Sequence, residues 1–311
     1  MTDSAHKTLR VRPQSGLRAW LSDPAPQSPL QAQVQLGWIQ WRRFCANHSA
    51  LFGLLVLLVI IAAALFAPWL ATQDIFAQNL AFRLQAPNAQ HWLGTDELGR
   101  DIFSRLLYGA RITLYIAALT ALIITPLGLL IGTAAGYLGG WVDTVLMRLV
   151  DIFLAFPSLI LALAFVAALG PGIENAIIAI SLSAWPPIAR LARAETLAIR
   201  KMDYIAAVRL QGAFSWHIIV RHIIPMCLPS VVVRVTLNMA AIILTAAGLG
   251  FLGLGAQAPS PEWGAMLASG REFMLNNGWI AAIPGLAILF TSLAFNLLGD
   301  GLRDVMDIRH E

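Results

Sequence analysis

Charged side chains are scarce in this sequence. Asp, Glu, Lys and Arg make up 12% of 311 residues, against roughly a quarter in an average soluble domain. So few charges cover the surface of a soluble fold poorly, which excludes disorder and argues against a cytosolic enzyme. Lysine is nearly missing, with Lys7 and Lys201 alone, so the net charge of +4 rests on arginine. In so apolar a chain that charge reads as membrane orientation rather than nucleic-acid binding. Cysteine is also rare. Cys45 and Cys227 make no disulfide framework and read as small apolar packing residues. An early apolar run is lacking, since the first begins near Leu51. A retained membrane anchor is expected, not a cleaved leader.

Four signatures of chemistry are absent as well. Without a Gly-x4-Gly-Lys-Ser/Thr run, the chain has no phosphate cradle for ATP. Without His-Glu-x-x-His, paired intramembrane aspartates or Gly-x-Ser-x-Gly, a membrane-embedded enzyme is disfavoured.

Apolar residues supply the rest: 58% of the chain, with a mean hydropathy of +0.70. Crossing about 30 Å of hydrocarbon takes roughly 20 residues. Charge-free runs occur at Leu51–Leu70, Ile112–Gly136, Ile152–Gly170, Asn175–Ala189, Val235–Gly255 and Trp279–Leu298. They predict an all-α membrane protein of six transmembrane helices, at about 51–70, 112–136, 152–170, 174–189, 230–255 and 279–299. The run with Pro126 holds several glycines, and the fourth ends in Trp185-Pro186-Pro187. Charge-free spans also disfavour an ion-coupled carrier, which needs ionisable relays inside the membrane.

Orientation follows from the basic residues. With an even number of spans and both termini inside, fifteen Lys and Arg fall in inside segments and five outside, with Arg234 at a span edge. Residues 1–49 therefore form a cytoplasmic tail, expected to be flexible to about Gln35, and 50–310 form the membrane domain. No internal repeat stands out.

The loop 190–225 between spans four and five is too long and too patterned to be a plain connector. Arg190, Arg193 and Glu195 extend the fourth helix into water. Asp203 to Gln211 reads as a short helix, and Gly212 as its left-handed cap. Ser215 is placed to cap a second helix, in which Trp216, Ile219, Val220 and Ile223 share one apolar face. His217 and Arg221 lie on the other side, and Pro225 ends the unit before the next span. From periodicity alone, docking into a groove on another protein and capping of the bundle are both open.

The run Asp203-Tyr-Ile-Ala206-Ala207-Val208-Arg209-Leu-Gln-Gly212, followed by His222-Ile-Ile-Pro225, resembles the EAA loop of ABC-importer permeases. Its Arg-His-Ile-Ile-Pro ending resembles the dipeptide/oligopeptide/nickel subfamily. Five more motifs agree in order: His91-Trp-Leu-Gly94-Thr95-Asp96-Glu97-Leu-Gly99-Arg100-Asp101, Asp151 to Pro157, Ala189 to Ala194, Gly248 to Gly255, and Gly299 to Asp304. Two departures stand out. Ala206 occupies the place of the motif's usual glutamate, with Val208 for its second alanine, and Ile308 stands where a proline is usual.

The resemblance implies a methionine-importer-type ABC permease fold in the bacterial inner membrane. It implies import of peptides, or of nickel chelates or glutathione by the same architecture. It also implies a second homologous permease, two ATP-binding subunits and an extracytoplasmic solute-binding protein. ATP and Mg would sit on the ATPase partners, with no cofactor on this chain. The ATPase would dock at Asp203, Ala206, Ala207, Arg209, Gly212, Trp216, His222 and Pro225.

Other positions follow from the residues. Ser181, Ser183, Asn238, Thr245 and Asn296 are polar groups inside apolar spans, so they are expected to face the bundle or a water-filled path. The 91–101 segment carries Asp96, Glu97 and Asp101 beside His91 and Arg100. A loop locked by hydrogen bonds to Arg100 is preferred over a metal pair. Gly248, Gly250, Gly253 and Gly255 read as packing against a partner permease or around the pathway. Trp69, Trp263 and Trp279 read as interface anchors.

Overall fold

A computed structural model of the chain describes Trp20 and residues 28–306, and the described elements are helical. The N-terminal stretch before Ser28 and Ile308 otherwise lie outside the described residues. α1 (Pro29–Ala46) occupies part of the expected tail. Asn47 then ends α1 and caps α2 (His48–Leu65), its side chain accepting the Ala50 N–H at 3.1 Å. After the short α3 (Ala67–Leu70), a loop with one 3₁₀ turn at Leu80–Phe82 leads to α4 (Ile102–Leu138).

Four helical stretches are long and apolar enough to cross a membrane: α2, α4, Ser215–Phe251 and α13 (Trp279–Met306). The third expected span is not a straight crossing. α5 (Gly140–Leu154) and α6 (Ser158–Leu169) meet at 92°, and counted as one span they bring the number to five. Pro157 denies the chain a backbone donor at the break and forces the preceding residue out of helical geometry. The fourth expected span is divided as well, into α7 (Ile173–Ala184) and α8 (Pro186–Ile199), at Trp185 and the proline pair. By length and composition the helices give four crossings, or five with the bent pair, and do not confirm six.

Small residues set the packing. α4 runs along α8, with Gly128, Gly132 and Gly136 against Ile188, Ala189, Ala192 and Thr196. α11 (Ile224–Phe251) packs on α13, and α13 on α2. Arg190 does reach into water, its side chain 58% exposed, whereas Arg193 is partly buried. Arg193 grips Asp143 of α5 through Nε and a second nitrogen at 2.5 and 2.6 Å, and Arg190 meets Asp151 at 2.5 Å. α5 is thus tied to α8 by two ion pairs, of which Arg190–Asp151 is exposed to solvent.

Candidate functional site

α9 (Asp203–Leu210) and α10 (Ser215–Ile218) form the two short helices expected in the 190–225 loop, joined at Gly212 with φ +82°. Only glycine, or at some cost asparagine, takes that conformation readily. Two expectations fail here. Ser215 makes no capping bond, because Phe214 holds the cap position. Pro225 does not end the unit. The turn Ile219–Ile223 widens to π geometry, Ile224 donating to the Ile219 carbonyl, and helix continues from Ser215 to Phe251. The wider turn accommodates a proline that has no N–H of its own.

The apolar face is rotated from its expected position. Ile205, Ile218, Ile219 and Ile223 are buried against the bundle, while Trp216 and Val220 point outward. Tyr204 lies 6.1 Å from His222 between ring centres, and Arg209 stacks 5.4 Å over Tyr137 at the end of α4. The loop therefore caps the bundle with one face and offers the other. A hollow of about 590 Å³ is lined by Phe214, Trp216, His217, Val220, Arg221 and Pro225. Asp203, Ala206, Ala207, Arg209 and Gly212 are exposed beside it. Leu210 and Phe214, 89% and 85% exposed, are apolar contacts that helical periodicity did not pick out. Their signal was two large apolar residues flanking a glycine turn.

Ser183, Asn238 and Thr245 line one cleft of about 270 Å³. Phe153, Phe156 and Ser158 at the α5–α6 bend close it from the side. Ser183 and Thr245 donate to the carbonyls of Ile180 and Ala241 in their own helices, at 3.0 and 2.8 Å, leaving oxygen lone pairs toward the cleft. Ser181 is buried and its hydroxyl has no hydrogen-bond partner among the described residues. Asn296 is exposed on α13 and does not line the cleft.

On the opposite side, the 91–101 segment closes over the start of α4. Asp96 accepts from Arg100 Nε at 2.7 Å and from the Leu98 and Arg100 N–H groups at 2.9 Å, and Arg100 donates to Glu97 at 3.0 Å. Asp101 caps α4 through the Ser104 N–H at 2.7 Å and meets His91 Nδ1 at 3.0 Å. The Thr95 hydroxyl donates to the Phe82 carbonyl and accepts the Gln85 N–H at 2.9 Å. Gly94 and Gly99 sit at positive φ where a Cβ would run into the Gln85 and Asn79 carbonyl oxygens. Asp96 and Asp101 are held by donors of the loop and of the start of α4. Glu97 pairs with Arg100 through Oε1, while its Oε2 is buried without a partner among the described residues. No metal-binding group of three His, Cys, Asp or Glu occurs among them.

Glu262 was not anticipated. It is 1% exposed and accepts the Gly264 and Ala265 N–H groups at 2.9 Å, capping α12 (Trp263–Gly270). Burial pushes its carboxyl up to about 7, against the pull of those two bonds. A Cβ at Gly250 would collide with its Oε2, so that glycine makes room for an acid of the same chain rather than a partner permease. The other three differ: Gly248 faces Leu159, Gly255 faces Gly250, and Gly253 lies in open space beyond the end of α11. Trp263 is no interface anchor either, being buried with its Nε1 donating to the Leu106 carbonyl at 3.0 Å.

Residues 124–310 match the family described as binding-protein-dependent transport system inner membrane component. Residues 36–87 match the N-terminal transmembrane domain of oligopeptide transport permease C. The chain is 43% identical to the dipeptide transport system permease protein DppC of Alkalihalophilus pseudofirmus, covering 92% of this chain and 96% of that one. It is 47% identical to the probable D,D-dipeptide transport system permease protein DdpC of Escherichia coli K12, covering 83% and 86%. It is 45% identical to the glutathione transport system permease protein GsiD of Pectobacterium atrosepticum, covering 88% and 92%. In fold it is similar to a chain of the MetNI methionine ABC transporter in inward-facing conformations, with a TM-score of 0.53 at 20% identity over 65% of this chain and 96% of that one. The expected methionine-importer-type fold is borne out, and the chain belongs to the binding-protein-dependent inner-membrane components, the multi-pass permease subunits of ABC importers.

Proposed function

We propose that this chain forms half of the membrane pathway of an ATP-driven importer of di- and oligopeptides. A homologous permease completes the pathway, two ATP-binding subunits supply the energy, and an extracytoplasmic binding protein delivers the peptide. Both termini lie in the cytoplasm, and nucleotide and Mg are held by the ATPase subunits.

One observation carries the coupling. Leu210, Phe214, Trp216 and Val220 form an exposed apolar surface mounted on buried isoleucines. That surface stands at the end of a helix running unbroken from Ser215 to Phe251, which lines the cleft with Asn238 and Thr245. The 22 residues from Trp216 to Asn238 span about 33 Å of helix. A displacement of Phe214 and Trp216 by a closing ATPase pair is transmitted along this rod to the cleft wall. Ala206 removes the acid at the motif's usual position, so docking rests mainly on apolar burial, with Asp203, exposed at the start of α9, as the carboxylate that remains there.

Peptides are favoured by the dipeptide relatives at 43% and 47% identity. Glutathione, itself a tripeptide, is the nearest alternative through a relative at 45%. The test is uptake by the four-subunit complex in proteoliposomes with its binding protein, comparing a dipeptide, glutathione and a nickel chelate. ATP-dependent dipeptide uptake is expected. Uptake driven by a pH gradient without nucleotide would overturn the importer mechanism, and uptake of glutathione or chelate alone would reassign the cargo.

A further inference from the structure

α1 wears its polarity inside out. Leu30, Val34, Trp38, Trp41 and Cys45 stand at i, i+4, i+8, i+11 and i+15, which places them in one stripe along the helix. The first four are exposed; Leu36 and Ile39 are exposed too, on the other side of the helix. The buried side chains of α1 include Gln31 and Gln35, whose amides donate to the Trp20 carbonyl at 3.0 and 2.7 Å. A helix bathed in water has the opposite arrangement, with glutamines outside and aromatics covered. Phe44 alone of its large apolar residues turns inward, into a small cluster with Ala50 and Val305 that pins the end of α1 to α2 and α13.

What covers the stripe follows from its neighbours. One residue, Asn47, separates α1 from α2, whose Phe52, Leu55, Leu58 and Val59 are exposed and meet hydrocarbon when α2 crosses the membrane. The stripe therefore approaches the level at which α2 enters the bilayer, where tryptophan is favoured because its ring is apolar and its N–H seeks water. Arg42 and Arg43 follow Trp41 directly and are exposed. Neither makes an ion pair among the described residues, which suits both guanidinium groups to phosphate. A soluble protein partner accounts for the tryptophans but not for a basic pair at the entry point of a membrane helix.

We propose that α1 is a membrane-surface helix, lying in the headgroup region with Leu30, Val34, Trp38 and Trp41 dipped toward the acyl chains and Arg42 and Arg43 on anionic lipid phosphates. It holds the N-terminal end of the membrane domain at a fixed depth, so that α2 and the cytoplasmic end of α13, joined through Phe44 and Val305, keep their register with the bilayer.

Spin labels decide it. In the assembled complex, in nanodiscs of phosphatidylcholine with about a third phosphatidylglycerol, single cysteines replace Val34, Trp38 or Trp41, with Gln33 and Gln40 as controls, in a Cys45→Ala, Cys227→Ala background. Labels at 34, 38 and 41 are expected to collide preferentially with oxygen dissolved in lipid, and those at 33 and 40 with an aqueous nickel complex. Aqueous access at all five sites overturns the proposal. Protection of 34, 38 and 41 from both reagents also overturns it, since protein then covers the stripe. Arg42→Gln/Arg43→Gln leaves the apolar stripe intact and is tested in parallel by native mass spectrometry. A severalfold loss of retained phosphatidylglycerol relative to phosphatidylcholine is expected, and equal retention overturns the assignment of the arginines to anionic headgroups.

Discussion

Gly212 stands at φ +82°, and no atom lies within 4 Å of the point a Cβ would occupy. A side chain there meets nothing, so replacement costs conformational energy alone, about 1–2 kcal/mol for a residue that avoids the left-handed region. Gly212→Val is expected to lower transport-coupled ATP hydrolysis while the subunit still reaches the membrane, and Gly212→Asn to retain most of it. Normal ATPase stimulation and uptake in the valine variant would remove this turn from the mechanism. Glu262 makes a prediction in pH. Its folded-state value of about 7 lies above the ordinary 4.5, so the fold favours the neutral acid. That contribution is complete below about pH 4.5 and is lost as pH rises through 7, on the order of 3 kcal/mol. The melting temperature of the purified chain should fall across that window, and Glu262→Gln, neutral throughout, should flatten the fall. An identical slope in the variant would assign the pH dependence to other groups.

Helix contacts carry the next set of expectations. A Cβ at Gly132 would press into the Ala189 carbonyl oxygen, and one at Gly128 or Gly136 would come within 2.7 Å of Ile188 or Thr196 of α8. Gly132→Leu should therefore separate α4 from α8 at a cost of about 1–3 kcal/mol or more, read as lower membrane yield and melting temperature in detergent. Ile223, fully buried at the π turn, anchors the 203–223 segment on the bundle. Ile223→Ala is expected to cost about 2–5 kcal/mol locally. Its signature is faster amide exchange over 203–223 with the exchange of α4 unchanged; uniform exchange changes would mean the loop is not a separate unit. The turn at Gly212 was readable from sequence because it is local. The rotated face of α10 was not, because burial of Ile218 in place of Trp216 depends on where the bundle lies beneath it.

The assembled transporter tests the coupling surface as a whole. Phe214→Ala combined with Trp216→Ala removes two exposed aromatics that support no part of this chain's core. Large aromatics in a docking groove dominate such interfaces, at about 2 kcal/mol or more each. The double variant should retain the ATP-binding subunits at least tenfold more weakly during purification, with the permease itself stable; undiminished retention would move the docking site elsewhere.

Composition and motif order determined the class of this molecule. Scarce charge forces apolar helices into lipid, because a buried backbone needs internal hydrogen bonds there, and five motifs in series point to one family. The pairing of Asp143 with Arg193, the 92° bend at Pro157, the cleft shared by Ser183, Asn238 and Thr245, and the buried Glu262 joined to Gly250 were decided only in three dimensions. Each joins residues far apart in sequence, or an angle that a proline permits but neighbouring helices select. Periodicity reports which face of a helix is apolar, and tertiary packing decides whether that face meets protein, lipid or a partner.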